Sequence, residues 1–185
     1  MKLWFVLAAG LTCASAQVMK IDTGRSAITI HVGKAGLFSA AGHEHWINAP
    51  ISAGAIDEAG LRVEFTVQTA QMRVKPDPKV DSKTEATIQK DMETMTLETA
   101  KYPEISFHSS HAEKTADGWK VDGMLALHGV TKPISVAVKK SGDSYSGHTV
   151  LKQTDFGIKP ISVAGGTVKV KNELELDFQI FRAAQ

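Results

Sequence analysis

A chain of 185 residues with 43% apolar and 22% charged side chains has the length and composition of one globular domain with a substantial core; two independent domains would strain it. Its formal net charge of +1, with acidic and basic residues dispersed along the chain, offers no excess that would draw in a nucleic acid or an anionic membrane surface. A single cysteine, Cys13, excludes a disulfide framework within the chain.

The first residues, MKLWFVLAAGLTCASAQ, combine Lys2, an apolar run from Leu3 to Leu11 and a small-residue A-x-A ending at Ala14-Ser15-Ala16. This pattern predicts a secretory signal peptide over residues 1–16 with cleavage after Ala16, because the apolar run is too short to span a bilayer. Gly10-Leu11-Thr12 lacks the Leu and the small residue that usually precede a lipidated cysteine, so simple cleavage is expected at Cys13's expense. The remaining chain, 17–185, then reads as one cysteine-free domain, periplasmic or secreted, held together by its core with no transmembrane anchor.

Ile28, Ile30 and Val32 alternate with polar or small residues, the period-2 signature of a half-buried strand. A small-residue stretch from Gly33 leads through Gly42-His43-Glu44-His45-Trp46-Ile47 to Pro50, where pairing should break. Leu61, Val63, Phe65 and Val67 form a cleaner strand that ends near Pro76-Asp77-Pro78. The period then changes. Ser82 followed by Glu85 has the spacing of a capping box, and Ile88, Met92 and Met95 recur on one helical face, which predicts a helix over roughly 83–97.

Ile105 and Phe107 open another strand, with Ser109 and His111 as their same-face successors. After a turn at Asp117-Gly118, Trp119, Val121, Gly123, Leu125 and Leu127 share a face. A tight link at Gly129 joins them to Ile134, Val136 and Val138, the hairpin's second arm, with Pro133 expected at the start of that arm. Tyr145 to Gln153 is a weaker strand interrupted by Asp155-Phe156-Gly157-Ile158. The last run, Val168 to Ile180, alternates throughout, and only Asn172 breaks its apolar side. About eight strands and one helix, with turn signals at the spacing of an antiparallel β protein, predict an all-β fold. The length of the last strand favours a closed antiparallel β-barrel of about eight strands, since closure removes its exposed edge.

Several stretches in order, VDS before the helix, LETAKYPEISF (97–107), LHGVTKP (127–133), DFGI (155–158) and the closing alternation, resemble the YceI-like, lipocalin-like polyisoprenoid-binding proteins of bacterial envelopes. The resemblance implies a barrel with a helix in one connection, an elongated apolar interior for a long isoprenoid or similar lipid, export to the periplasm, and a homodimer. The candidate lipid-binding wall is Ile28, Ile30, Val32, Val63, Phe65, Phe107, Leu125, Leu127, Val136, Leu174, Leu176 and Phe178. Period-2 patterning alone does not say whether these twelve enclose a ligand or fill a core.

No cofactor and no catalytic residue is indicated. The mature chain has no Gly-x-Ser-x-Gly elbow, phosphate-cradling glycine loop or cysteine nucleophile. The alternative, a metal-dependent envelope enzyme, rests on His43 and His45, which as strand neighbours at i, i+2 project from one face and need a third ligand such as His31, His108, His111 or His128. His128 is expected to hydrogen-bond the hairpin turn backbone, and Asp155 to act as an Asx-turn residue.

Overall fold

Alternating apolar residues give each extended run one face that must leave water, and the sheet they form curls to bury that face. The computed structural model describes residues 18–35, 44–163 and 168–184. The strands are β1 (Val18–Lys20), β2 (Ala27–Ala35), β3 (His45–Pro50), β4 (Ala53–Asp57), β5 (Arg62–Gln68), β6 (Arg73–Val74), β7 (Glu104–Thr115), β8 (Gly118–Leu127), β9 (Val130–Ser141), β10 (Ser144–Lys152), β11 (Ser162–Val163) and β12 (Val168–Phe181). One α-helix, α1 (Ser82–Asp91), lies between β6 and β7.

The all-β antiparallel class with one helix forms as expected; the closed barrel of about eight strands does not. The hydrogen-bonded order is β1-β4-β5-β7-β8-β9-β10-β12-β2-β3-β6, with β11 paired to β12 beside this path, so the curled sheet has ends at β1 and β6. Three interruptions redirect the pairing: one ahead of the strand expected at Ile28, one just after the break expected at Pro50, and one inside the strand expected to run from Leu61 to near Pro76. Asp22 Oδ1 accepts from the Gly24 and Arg25 amides and turns the chain between β1 and β2. Ile51 and Ser52 separate β3 from β4. A 3₁₀ turn at Thr69–Gln71 separates β5 from β6, where the Thr69 amide and hydroxyl donate to the Pro103 and Tyr102 carbonyls. Each break sends the two halves of a run to different partners: β3 pairs with β2 and β6, whereas β4 pairs with β1 and β5.

The helix begins one residue earlier than expected, capped by Asp81, not Ser82. Asp81 Oδ1 accepts from the Lys83 and Thr84 amides, each at 3.0 Å, and Glu85 instead accepts from the Asp77 amide. The expected helix to residue 97 gives way after Asp91 to a π-helical turn over Met92–Thr96, closed by the Leu97 amide on the Met92 carbonyl. That wider turn rotates the apolar face: Met95 is 66% exposed, and Leu97 takes the buried place at 7%.

The hairpin β8–β9 is joined by two residues, His128 (φ 53°) and Gly129 (φ 75°), the positive-φ pair that a right-handed twist favours. Pairing begins at Leu127 opposite Val130, so Pro133 lies inside β9 rather than at its start. It falls outside the three residues of β9 that pair with β10, where a missing N–H breaks no ladder on that side. His128 does not serve the turn backbone. Its Nε2–H donates to Glu98 Oε2 at 2.8 Å, and its ring packs 4.2 Å from that of Tyr102. Glu98 itself has φ 45°, so two left-handed residues from segments 30 positions apart hold each other. This clasp ties LETAKYP to LHG and seats the helical connection against the sheet. Replacing His128 by Ala keeps the backbone strain and removes the charge-assisted bond; we expect a loss of about 1–2 kcal/mol, read as a lower denaturation midpoint at unchanged m-value.

A β-bulge between Ser109 and His111 changes the face of β7: Ala112 turns into the core, and His111, expected to continue the face of Phe107, is exposed. Asn172 likewise marks the irregularity between Val170 and Leu174, where its side chain accepts from the Thr154 amide and donates to the Thr154 hydroxyl. That anchors the segment carrying buried Phe156 and Ile158, and Asp155 sits there in a 3₁₀ turn.

Candidate ligand cavity

The inward faces of the curled sheet do not meet. They enclose a cavity of about 280 Å³, and all twelve residues expected in the wall line it: Ile28, Ile30 and Val32 on β2, Val63 and Phe65 on β5, Phe107 on β7, Leu125 and Leu127 on β8, Val136 on β9, and Leu174, Leu176 and Phe178 on β12. Along β12 the wall runs from Val170 to Ile180, roughly 33 Å of strand at ~3.3 Å per residue. The lining thus follows this strand over most of its length. The cavity's cross-section is shaped by aromatic rings lying over glycines: a Cβ on Gly123 would stand 2.4 Å from the Phe107 ring, and one on Gly147 would stand 2.4 Å from that of Phe178. Phe65 and Phe107, partners across β5 and β7, stack at 5.5 Å.

The helical connection contributes wall residues that strand patterning does not reveal. Ile88, Met92 and Leu97 line one end, together with Ile158 and Ile161 from the segment after β10. Uncharged polar side chains stand at this end too, Thr96 and Gln153 beside His45 at the start of β3, while Thr149 lies midway along the wall opposite Leu176. Gln153 is buried and donates through Nε2 to the Lys171 carbonyl at 2.7 Å.

Charge is concentrated at the other end. Glu58, in the turn from β4 to β5, accepts from Lys140 Nζ on β9 with both oxygens at 2.8 Å, from the Tyr145 hydroxyl on β10, and from Arg182 Nη1 at 3.2 Å. The Lys140 hydrogen bond first, then that of Tyr145, holds the Glu58 carboxyl below the ordinary carboxylate range against the opposing effect of burial. Burial, followed by the adjacent Glu58 carboxylate, pushes the Tyr145 phenol up. No local spacing announces this network, because its members come from four separate stretches of chain.

Because its folded pKa is lowered, Glu58 contributes stability that is fully present above the unfolded glutamate value of about 4.3 and is lost as pH falls through the folded value. A Glu58→Gln variant should therefore be less stable than the native protein at neutral pH. Their difference should shrink steadily below about pH 4.3 in paired urea titrations.

Of the metal-site candidates, His43 lies outside the described residues. His45 pairs with Val32 and faces the cavity, whereas His31 pairs with Trp46 on the opposite face. His31 there contacts Glu44 and Glu175 and stacks on Trp46 at 4.3 Å. His31 and His45 are thus on opposite sides of the sheet and do not converge. His108 pairs with Glu64, His128 with Glu98, and His148 with Asp177. Among the described residues no group of three or more His, Cys, Asp or Glu side chains is placed to hold a metal ion.

Known proteins share this architecture. Two solved structures align over most of their length: a polyisoprenoid binding domain from Saccharophagus degradans implicated in plant cell wall breakdown (TM-score 0.63, 15% identity, 91% of this chain and 100% of that one), and BcnA from Burkholderia cenocepacia (TM-score 0.55, 16% identity, 89% and 99%). At such identities the likeness is one of fold. In sequence, a UPF0312 protein of Pseudomonas savastanoi pv. phaseolicola is 43% identical over 77 residues, covering 34% of this chain and 38% of the relative. A UPF0312 protein of Yersinia pestis (strain Pestoides F) is 36% identical over 66 residues, 34% of each. The alignments thus span little more than a third of these relatives. The sequence profile of the YceI-like domain, by contrast, matches residues 15–181. With nearly the whole described chain inside that match and its motifs placed around one apolar cavity, the protein belongs to the YceI-like family.

Proposed function

We propose that this protein sequesters or carries a long isoprenoid, or a similar amphiphilic lipid, inside the cavity, without catalysis, in the periplasm or outside the cell once residues 1–16 are removed. The observation that carries this reading is the apolar lumen lined along β12, with its charged lining residues Asp57, Glu58 and Arg62 at one end. Water exclusion supplies the affinity, at roughly 0.8 kcal/mol per methylene buried. A lumen without charged groups along its length suits a chain with none. The uncharged donors and acceptors of Thr96 and Gln153 suit a hydroxyl or carbonyl head group at the helix-covered end. The polyisoprenoid-binding neighbour, alike in fold, supports the ligand class. Among the described residues no helix is long and apolar enough to cross a membrane.

Organic extraction of protein purified from cells that make prenyl lipids, followed by mass spectrometry, tests the reading. A prenyl lipid at close to one per chain is expected, and an empty cavity under those conditions overturns it. Homodimerisation belongs to the same proposal, and light scattering on the lipid-loaded protein reads it.

A further inference from the structure

The β4–β5 turn does something unusual for a strand connection: Glu58 bonds to walls that are not its neighbours. In the sheet order, β7 and β8 stand between β5 and β9, yet Glu58 reaches Lys140 on β9 and Tyr145 on β10, and Arg182 beyond the end of β12. Asp57, Glu58, Leu61, Arg62 and Tyr145 all line the cavity there. The turn is itself braced, with Asp57 Oδ1 accepting from the Gly60 amide at 2.8 Å and Leu61 held at φ 53°. The Glu58 carboxylate accepts from three side chains at once, so the strap spans the end of the lumen as a polar cross-tie.

We infer that the Glu58 strap is the floor of the cavity and sets the maximum length of the hydrocarbon chain that the protein accepts. This rests on the proposed lipid reading and names its specificity-determining residues. An alkyl terminus that reaches the strap meets a carboxylate, an ammonium and a phenol bonded to one another, and a methyl group replaces none of those bonds. Every methylene above the floor leaves water and gains affinity. A methylene beyond it gains none unless the network opens. The head group then sits at the opposite end, beside Thr96 and Gln153, and the free end of the chain points at Glu58.

Linear prenyl alcohols from farnesol to solanesol provide the test, titrated against the mature chain in a Trp46→Phe background so that emission comes from Trp119 in the cavity wall. Affinity should rise by about fourfold per added methylene equivalent in the shorter members and then stop rising at a defined length. In Glu58→Ala and in Lys140→Met the short alcohols should bind as before, and the cut-off should move to longer chains. Val138→Phe places a ring two residues above Lys140 on the same strand and should move the cut-off to shorter chains. This third variant keeps the strap intact and so does not depend on the first two folding well. A cut-off unchanged in folded Glu58→Ala and Lys140→Met, or unchanged in Val138→Phe, overturns the floor while leaving the lipid reading in place. Absence of binding by the unsubstituted protein at every length overturns both.

Discussion

Substituting phenylalanine at Val121 and Val136 together is expected to abolish lipid uptake without a fall in stability. These residues face each other across β8 and β9, and both line the cavity. In a filled core, added ring volume forces neighbours off their rotamers and costs about 1–3 kcal/mol. In a hollow wall the rings enter the lumen and bury apolar surface against Leu125 and the Phe107 side. Melting should therefore stay level or rise on calorimetry. Displacing as few as two methylenes of ligand removes roughly 1.6 kcal/mol of transfer free energy, so affinity for the lipid should drop at least about tenfold. A clear loss of stability with lipid still bound would mean that the lumen is packed solid at this level and that any ligand lies elsewhere.

Ile51→Ala should behave in the opposite way, unfolding the protein more readily and leaving the lumen's shape alone. Ile51 is 1% exposed, joins β3 to β4, and donates its amide to the Ser26 carbonyl at 3.3 Å. It is in the core cluster but not in the cavity wall. Truncation at such a site forfeits transfer free energy and leaves a void, costing about 2–5 kcal/mol. For a chain of this size that corresponds to a fall in Tm of roughly 4–20 °C. Chain-length selectivity among prenyl alcohols should be unchanged in the surviving folded fraction. The contrast between Ile51 and Val136 separates the part of the interior that is core from the part that is container.

Much of the wall was legible before any coordinates. Ile28, Ile30 and Val32, or Leu174, Leu176 and Phe178, obey a two-residue period, and a sheet with one buried face must turn such residues inward. The helix was legible in existence but not in its last turn: a π-helical residue insertion leaves no local signature, and it exchanged Met95 for Leu97 on the buried face. The face of β7 misled in the same way, since one extra residue near Ser110 reverses the alternation from that point. Nor does period-2 patterning count strands. The breaks at Asp22–Arg25, Ile51–Ser52 and Thr69–Gln71 interrupt or shift the apolar alternation, as from Val67 to Met72 and Val74, but the pattern does not say which partners the strands beyond them take.

By itself, then, the sequence determined the fold class, the inward faces and the family motifs, because each is written in spacings of two to seven residues that local sterics and burial convert directly into structure. Tertiary structure alone decided that the inward faces stand apart instead of meeting. It also decided that His128 answers Glu98 and not its own turn, that His45 looks into the lumen while His31 looks out, and that Glu58 crosses the end of the cavity to Lys140, Tyr145 and Arg182. Those pairings join residues 30 to 124 positions apart. Contacts at such separations depend on how far the sheet curls, which is a property of the summed twist and its interruptions and of no single stretch of chain.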